Sequence, residues 1–318
     1  MTKAVLSIVL PLFNEEDTVE RCLTSLVDLL NAGEEPFEII CVDDGSSDSS
    51  PEKVNEVAKE QPRVRLIQLS RNFGKEAAIV AGLEAAQGKA VIVMDADMQH
   101  PPEIVPKFVK QWKLGAQIVS GVKEDRGQEG LLHALLARLF NSLMSSSIGR
   151  DMSGASDFKL LDRQVVDILL DCPERTRFFR GLVAWSGFNE ERVPFKVGKR
   201  FAGKSKWSLF ALMRYFKNNI LSFSSLPLKL IAYVGFITIL FGVLLGLNSL
   251  QQYYRGVAVT GFTTVILLQV ILFGVLQTSV GIIAFYISTM YEEIKRRPTY
   301  IVCKPRASKS EEGEQGNK

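Results

Sequence analysis

From residue 7 to residue 121, short apolar runs alternate with longer amphipathic stretches. Residues 7–10, 37–42, 64–69, 90–94 and 117–121 are the apolar runs, separated by polar turn residues, and they predict strands. Between them, residues 17–30, 50–59, 75–86 and 102–114 carry apolar positions at helical spacing and predict helices. This alternation predicts an α/β fold with a mostly parallel sheet covered on both faces. Ligands of such sheets bind beyond the carboxyl ends of the strands.

Two later stretches differ in kind. Residues 230–254 and 256–291 contain no charge, and the second is densest in apolar residues over 265–287. Each exceeds the roughly 20 apolar residues of a membrane-spanning helix and lacks the polar face of a core helix. They predict a transmembrane hairpin joined by the polar residues 251–261. Arg214, Lys217 and Lys229 precede the hairpin, Lys295, Arg296 and Arg297 follow it, and the loop carries only Arg255. The positive-inside rule then places both ends in the cytoplasm, the loop outside, and the whole as a multi-pass protein of the plasma membrane.

Residues 207–223 interleave Trp207, Phe210, Met213, Tyr215, Phe216, Ile220 and Phe223 with Arg214 and Lys217, which predicts an amphipathic helix lying in the interface. Residues 5–13 are apolar too, but the polar Asn14-Glu15-Glu16-Asp17 follows with no small-residue cleavage site. They predict a buried strand rather than a signal peptide. Residues 304–318, rich in Lys, Glu, Gly and Ser, read as a disordered tail.

Composition sharpens this picture. The chain of 318 residues is 47% hydrophobic and 23% charged, and its mean hydropathy of +0.11 is what two membrane spans add to a water-soluble domain. The length suggests about two units. A net charge of +3 is too small to argue for a nucleic-acid partner. Cys22, Cys41, Cys172 and Cys303 form no C-x-x-C pair, which excludes a disulfide scaffold and a cysteine zinc site and suits reduced thiols. His100 and His133 are the only histidines, too few for a His-rich metal centre. Neither G-x-G-x-x-G nor G-x-x-x-x-G-K-[ST] follows the first strand, where both kinds of nucleotide fold place them, and no G-x-S-x-G is present. These absences argue against a dinucleotide dehydrogenase, a P-loop enzyme and a serine hydrolase. There is no internal repeat.

Candidate chemistry gathers at three strand ends. Asp95-Ala96-Asp97 follows the fourth strand, with Gln99 two residues on. Carboxylates so spaced offer hard oxygens to Mg²⁺ or Mn²⁺, which could bridge to a substrate diphosphate. His100, before Pro101-Pro102, reads as a loop residue, with metal ligation as the alternative. Asp43 and Asp44 end the second strand. One carboxylate suits a base N–H or ribose hydroxyl and the other suits a cap for the next helix; the sequence leaves their assignment open. Pro11 and Phe13 offer an apolar edge to a base, with Glu15 beside it.

These residues carry a resemblance. Leu10-Pro11-Leu12-Phe13-Asn14-Glu15-Glu16, Val42-Asp43-Asp44-Gly45-Ser46-Ser47-Asp48, Ser70-Arg71-Asn72-Phe73-Gly74-Lys75-Glu76 and Asp95-Ala96-Asp97-Met98-Gln99-His100-Pro101-Pro102 together resemble inverting GT-A glycosyltransferases of family 2. The set is similar, more narrowly, to the polyprenyl-phosphate glycosyltransferases, which include dolichol-phosphate mannose synthases and bactoprenol glucosyltransferases. The likeness continues through Gly154-Ala155-Ser156-Asp157-Phe158-Lys159-Leu160, through Arg200-Phe201-Ala202-Gly203-Lys204-Ser205-Lys206-Trp207, and through the two spans to Glu292-Glu293-Ile294-Lys295-Arg296-Arg297-Pro298.

The resemblance implies a cytosolic GT-A domain, a Rossmann-like nucleotide-sugar fold, over 1–206. A juxtamembrane amphipathic helix over 207–227, a transmembrane hairpin over 228–291 and a cytosolic tail over 292–318 complete the chain. It implies that Pro11, Phe13, Glu15 and Asp43, with Asp44 beside them, hold the nucleotide. Asp95, Ala96 and Asp97 hold the diphosphate and a Mg²⁺ or Mn²⁺ ion, helped by Gln99. Arg200 and Lys206 clamp phosphates; headgroup attraction is the alternative for Lys206. Asp157 matches a residue proposed as a base, but a lipid phosphate is already anionic at neutral pH, so an orienting role stands beside that one. Lys123 falls where related synthases place an arginine for the lipid phosphate, and Arg126 and Arg138 are further phosphate contacts. UDP-glucose is favoured as donor over UDP-N-acetylglucosamine and GDP-mannose, the acceptor is undecaprenyl phosphate, and a homo-oligomer is compatible with the pattern. A processive polysaccharide synthase fits less well without Q-x-x-R-W, and a non-catalytic membrane scaffold does not explain the intact charged set.

Overall fold

The computed structural model of the protein describes residues 4–124, 145, 149–150, 155–172, 174, 177–196, 226–256 and 261–303. These fall into two compact units, one built from residues up to 206 together with 298–318, the other centred on residues 207–297.

The first unit is a seven-stranded sheet. In chain order its elements are β1 (Leu6–Leu12), α1 (Val19–Asn31), β2 (Phe37–Asp43), α2 (Ser50–Glu60), β3 (Val64–Gln68), α3 (Lys75–Ala85), β4 (Ala90–Val93), a 3-10 turn (Pro102–Ile104), α4 (Val105–Lys113), β5 (Ile118–Lys123), β6 (Ala155–Asp162), α5 (Arg163–Asp171), α6 (Phe179–Trp185) and β7 (Glu190–Phe195). The strand order is β3-β2-β1-β4-β6-β5-β7. All pairings are parallel except those of β6, which runs antiparallel to both β4 and β5. The predicted strands and helices stand within a few residues of their bounds. The helix predicted over 102–114 opens as a 3-10 turn: Pro106 has no N–H for the Pro102 carbonyl, which takes the Val105 N–H instead.

Alternation of side chains divides the core. Leu6, Ile8, Leu10 and Leu12 of β1 join Val19, Cys22, Leu23 and Leu26 of α1, with Phe108 and Phe158 beyond, on one face. Burial of each such large side chain contributes about 1.5–3 kcal/mol. On the other face α3 lies almost wholly buried from Ala77 to Leu83. A Cβ on Gly82 would stand 2.2 Å from Val9 Cγ1, so glycine there lets the helix sit directly on β1. That close seat brings the first residue of α3, Lys75, to the carboxyl ends of the parallel strands.

Residues after the last long helix return to this unit. Ser70 N–H donates to the Ile301 carbonyl at 2.8 Å and Cys303 N–H to the Gln68 carbonyl at 2.7 Å. Val302 forms an antiparallel bridge with Leu69, and the Tyr300 hydroxyl bonds the Glu84 carboxylate. This short segment covers the end of the edge strand β3, where backbone groups would otherwise be open to another chain.

The second unit holds α7 (Leu226–Tyr254) and α8 (Phe262–Ile294), of 29 and 33 residues. Their apolar cores, Leu230–Asn248 and Leu268–Ile294, have mean hydropathies of 2.5 and 2.1 and are long and apolar enough to cross a membrane. Phe236, Ile239, Leu244, Val270, Leu276 and Ile287 along them are exposed, an arrangement that lipid tolerates and water does not.

Candidate active site

Two strand exits are knitted into one wall. Asn14 adopts a left-handed φ of 55°, which turns its backbone N–H to the Ser46 hydroxyl at 2.9 Å and its side-chain oxygen to Ser47 N–H at 2.9 Å. Glu15 N–H reaches the Ser50 hydroxyl at 2.8 Å, and Glu16 N–H reaches Asp48 at 3.1 Å. Asp48 also accepts from Ser50 N–H at 3.1 Å at the start of α2. Phe13 remains 40% exposed on this wall, beside the half-buried Pro11. A flat apolar edge on a rigid loop is what a nucleobase can stack against.

The register pairs Leu12 with Asp43, and Asp44 N–H continues the ladder to the Leu12 carbonyl at 2.9 Å. The two aspartates then diverge. Asp43 accepts from Ser46 N–H at 3.1 Å. Asp44 takes the amides of Phe73 and Gly74, at 2.7 and 2.9 Å, one on each oxygen. Burial pushes both carboxyls up from their ordinary range, opposed by these same hydrogen bonds. The structure thereby gives Asp44 the task of holding the loop before α3, and it is Asp48 that serves α2. Gly45, at φ 71°, lies so close that a Cβ would stand 2.6 Å from the Arg71 carbonyl carbon.

The loop after β4 carries the acidic pair. Asp97 accepts from Gln99 N–H at 3.0 Å, and the Asp95 N–H donates to His100 Nδ1 at 3.0 Å. The His100 ring is buried, stacked on Phe158 at 4.9 Å, and burial lowers its pKa, which suits a neutral ring whose Nδ1 accepts. His100 is therefore a loop residue, and its Nδ1 is not offered to a metal. Among the described residues no group of three or more His, Cys, Asp and Glu comes together as ligands. Two carboxylates with a neighbouring amide fit Mg²⁺ or Mn²⁺, which keep oxygens of water and diphosphate, and do not fit a closed zinc site.

Antiparallel pairing brings Asp157 opposite this loop. Val93 pairs with Lys159 at the end of β4, so Asp157, two residues before Lys159 on β6, lies toward the loop that carries Asp95. Asp157 is buried, and Arg180 of α6 grips it with two bonds, Nε to Oδ1 at 2.6 Å and a terminal nitrogen to Oδ2 at 3.0 Å. Lys75 Nζ stands 2.7 Å from Asp157 Oδ2 and 2.5 Å from Asp95 Oδ1. Burial opposes the Asp157 charge, but Arg180 and then Lys75 hold its carboxyl well below the usual range. Burial likewise opposes the Lys75 charge, and Asp157 and Asp95 outweigh it, raising the ammonium above its ordinary value.

Glu76 lies beside this cluster and accepts from Phe179 N–H at 2.9 Å. Burial, then repulsion from Asp157, push its carboxyl up to about 7 from 4.5. A carboxyl that holds its proton more tightly when folded favours the fold below its unfolded value, and that advantage is lost as pH rises through about 7. Glu76→Gln keeps an acceptor for Phe179 and never ionises. The variant should match the wild type in stability near pH 4.5 and exceed it at pH 8 by up to about 3 kcal/mol. Denaturant titrations at the two pH values measure this; a constant difference between them would refute it.

The structure thus gathers Pro11, Phe13, Glu15, Asp43, Asp95, Ala96, Asp97, Gln99 and Asp157 at one end of the sheet, with Asp44 turned to the loop before α3. Lys123 is exposed at the carboxyl end of β5. Arg126, Arg138, Arg200 and Lys206, and the amphipathic stretch 207–223, lie outside the described residues. Lys75, Glu76 and Arg180 escape a reading by pattern. Lys75 and Glu76 stand within the Ser70–Glu76 motif without a chemistry of their own, and nothing near Arg180 announces it.

Carboxylates and fixed cations thus gather at the strand ends of a mixed α/β sheet. The family model Glycosyl transferase family 2 matches residues 7–167, and the chain belongs to that family, with the GT-A fold. An uncharacterized glycosyltransferase, sll0501, of Synechocystis is 38% identical over 93% of this chain and 94% of that one. The uncharacterized glycosyltransferase YkcC of Bacillus subtilis is 36% identical over 94% of this chain and 93% of its own length. The SfII prophage-derived bactoprenol glucosyl transferase of Shigella flexneri is 33% identical over 94% of this chain and 97% of that one. The protein is accordingly a glycosyltransferase.

Proposed function

We propose that this enzyme is a hexosyltransferase that moves glucose from UDP-glucose to a polyprenyl phosphate such as undecaprenyl phosphate, with inversion, for later glycosylation of cell-envelope glycans. The observation that carries the reading is the likeness to the bactoprenol glucosyl transferase over 94% of this chain. The uncovered remainder is shorter than either long helix, so the likeness takes in the apolar helices as well as the sheet. A polyprenyl tail stays in lipid, and only its phosphate can enter the crevice. The charge flanks of the two spans support a topology with both termini on the cytoplasmic side.

In this reading Pro11, Phe13, Glu15 and Asp43 hold the nucleoside. Asp95, Ala96, Asp97 and Gln99 receive the diphosphate and would hold Mg²⁺ or Mn²⁺, an ion that supplies charge stabilisation to a leaving diphosphate when bound. Lys123, Arg126 and Arg138 attract the acceptor phosphate, and Arg200 and Lys206 the leaving one. An oxygen of the lipid phosphate attacks the anomeric carbon, the bond from that carbon to the diphosphate breaks, and its electron pair leaves on UDP. The lipid phosphate has a second pKa of about 6 and needs no strong base. Asp157, held charged by Arg180 and Lys75, serves in this scheme to orient groups around the reacting carbon.

A donor panel tests the proposal. Purified full-length protein with undecaprenyl phosphate should consume UDP-glucose in preference to UDP-N-acetylglucosamine and GDP-mannose. Preference for either rival corrects the donor, and no lipid-dependent consumption of any of the three overturns the reading.

A further inference from the structure

Lys75 occupies an unusual place between two halves of the site. Its ammonium contacts Asp95 Oδ1 at 2.5 Å and Asp157 Oδ2 at 2.7 Å. Its backbone is fixed from behind, because Asp44 holds the amides of Phe73 and Gly74 immediately before it. The side chain cannot simply drift off with a loose loop. One oxygen of the acidic motif is therefore already neutralised by the protein's own cation.

We propose that Lys75 is a positioning residue that stands in for the divalent ion at Asp95 and yields that oxygen only when metal and nucleoside diphosphate arrive together. This rests on the glycosyl-transfer reading only in taking Asp95 as a metal ligand. A lone Mg²⁺ or Mn²⁺ ion must displace the ammonium from Asp95 and then sit beside a like charge, so it binds weakly. A metal–diphosphate pair brings negative charge with it, which offsets that repulsion and gives the displaced ammonium a phosphate to face. The outcome is a coupling between metal and nucleotide binding, which must be reciprocal. Asp157 remains the second anchor of Lys75 throughout, so the ammonium pivots rather than leaving the site.

The test uses full-length protein in detergent, with Mn²⁺ and UDP as the only ligands and electron paramagnetic resonance to count free Mn²⁺. Lys75→Gln keeps a hydrogen-bond donor between the two carboxylates and removes the charge. It should bind Mn²⁺ alone about tenfold or more tightly than the wild type, within the usual range of coupling between sites. It should also lose most of the enhancement that UDP gives to Mn²⁺ binding. Lys75→Arg, which keeps the charge, should retain weak binding of Mn²⁺ alone, and it serves as the readout should the glutamine variant fail to fold. A merely structural lysine would leave metal affinity unchanged or weaker on removal. Unchanged or weaker binding in folded Lys75→Gln overturns the proposal, as does tight binding of Mn²⁺ alone to the wild type or to the arginine variant, or no binding to the wild type even with UDP. No sugar or lipid enters these titrations, so they can succeed or fail independently of the transfer assay.

Discussion

Asp157→Asn should lower turnover by about 10³ at every pH from about 6 to 9, the scale of losing one preorganised electrostatic group. The reason lies in its partners. Two cations contact one buried carboxylate, and they hold it charged far below neutral pH. A group already ionised over the whole working range contributes no titration of its own to the rate. The acidic limb of the profile should come from the lipid phosphate, with a pKa of about 6, and be shared by wild type and variant. Asparagine preserves the outline of the side chain but takes the anion from Arg180 and leaves Lys75 with Asp95 alone, which misplaces the charges that Asp157 holds together. If Asp157 acted only as a base, the variant would instead recover toward high pH, where the acceptor phosphate is fully ionised. A pH–rate series for the two proteins, with UDP binding as a check on folding, separates these outcomes.

Asp97→Ala should be at least as damaging, with turnover down by about 10³ or more and the melting temperature little changed. Its carboxylate lies on a loop and receives the nearby Gln99 amide at 3.0 Å, a local bond whose loss disturbs little packing. In the proposed reading the substitution removes one of two hard oxygen ligands for an ion that would stabilise the leaving diphosphate. Excess chelator should silence the wild type to the same degree, and added Mn²⁺ should restore the wild type but not the variant. Full activity of the wild type in chelator, or of the variant without it, would contradict the role of the pair.

Much of the sheet is legible because β1 to β5 are short apolar runs and the stretches between them are long enough for helices, most with an apolar stripe and α3 apolar nearly all round. β6 breaks this pattern. Ala155–Asp162 carries Asp157 and Lys159 inside the protein, each compensated by charges from distant segments, Arg180 and Lys75 for the first and Glu190 for the second. A run with charges at alternate positions does not read as a buried strand, although here it is one. β7, Glu190–Phe195, is a charged edge strand with a proline and reads as loop for the same reason.

The site is legible as a set of strand ends and not as a network. Asp95, Asp97 and Asp43 announce themselves by position after apolar runs. The division of labour between Asp43 and Asp44 depends on amides about 30 residues later in the chain, and no local spacing encodes that. The same holds for the bridge that Lys75 makes, whose partners are set by the antiparallel entry of β6. The return of Tyr300–Cys303 to β3 is likewise invisible, since a few residues forming one bridge have no periodicity to detect.

The most direct measurement is the structure of the product. Full-length enzyme incubated with UDP-glucose, undecaprenyl phosphate and Mg²⁺ should yield UDP and a lipid whose mass has grown by one hexose. Nuclear magnetic resonance of that lipid should show glucose joined through its anomeric carbon to phosphate in the β configuration, the inverse of the α-linked donor. An α-linked product, a chain of several sugars, or release of free glucose with no lipid product would contradict the account.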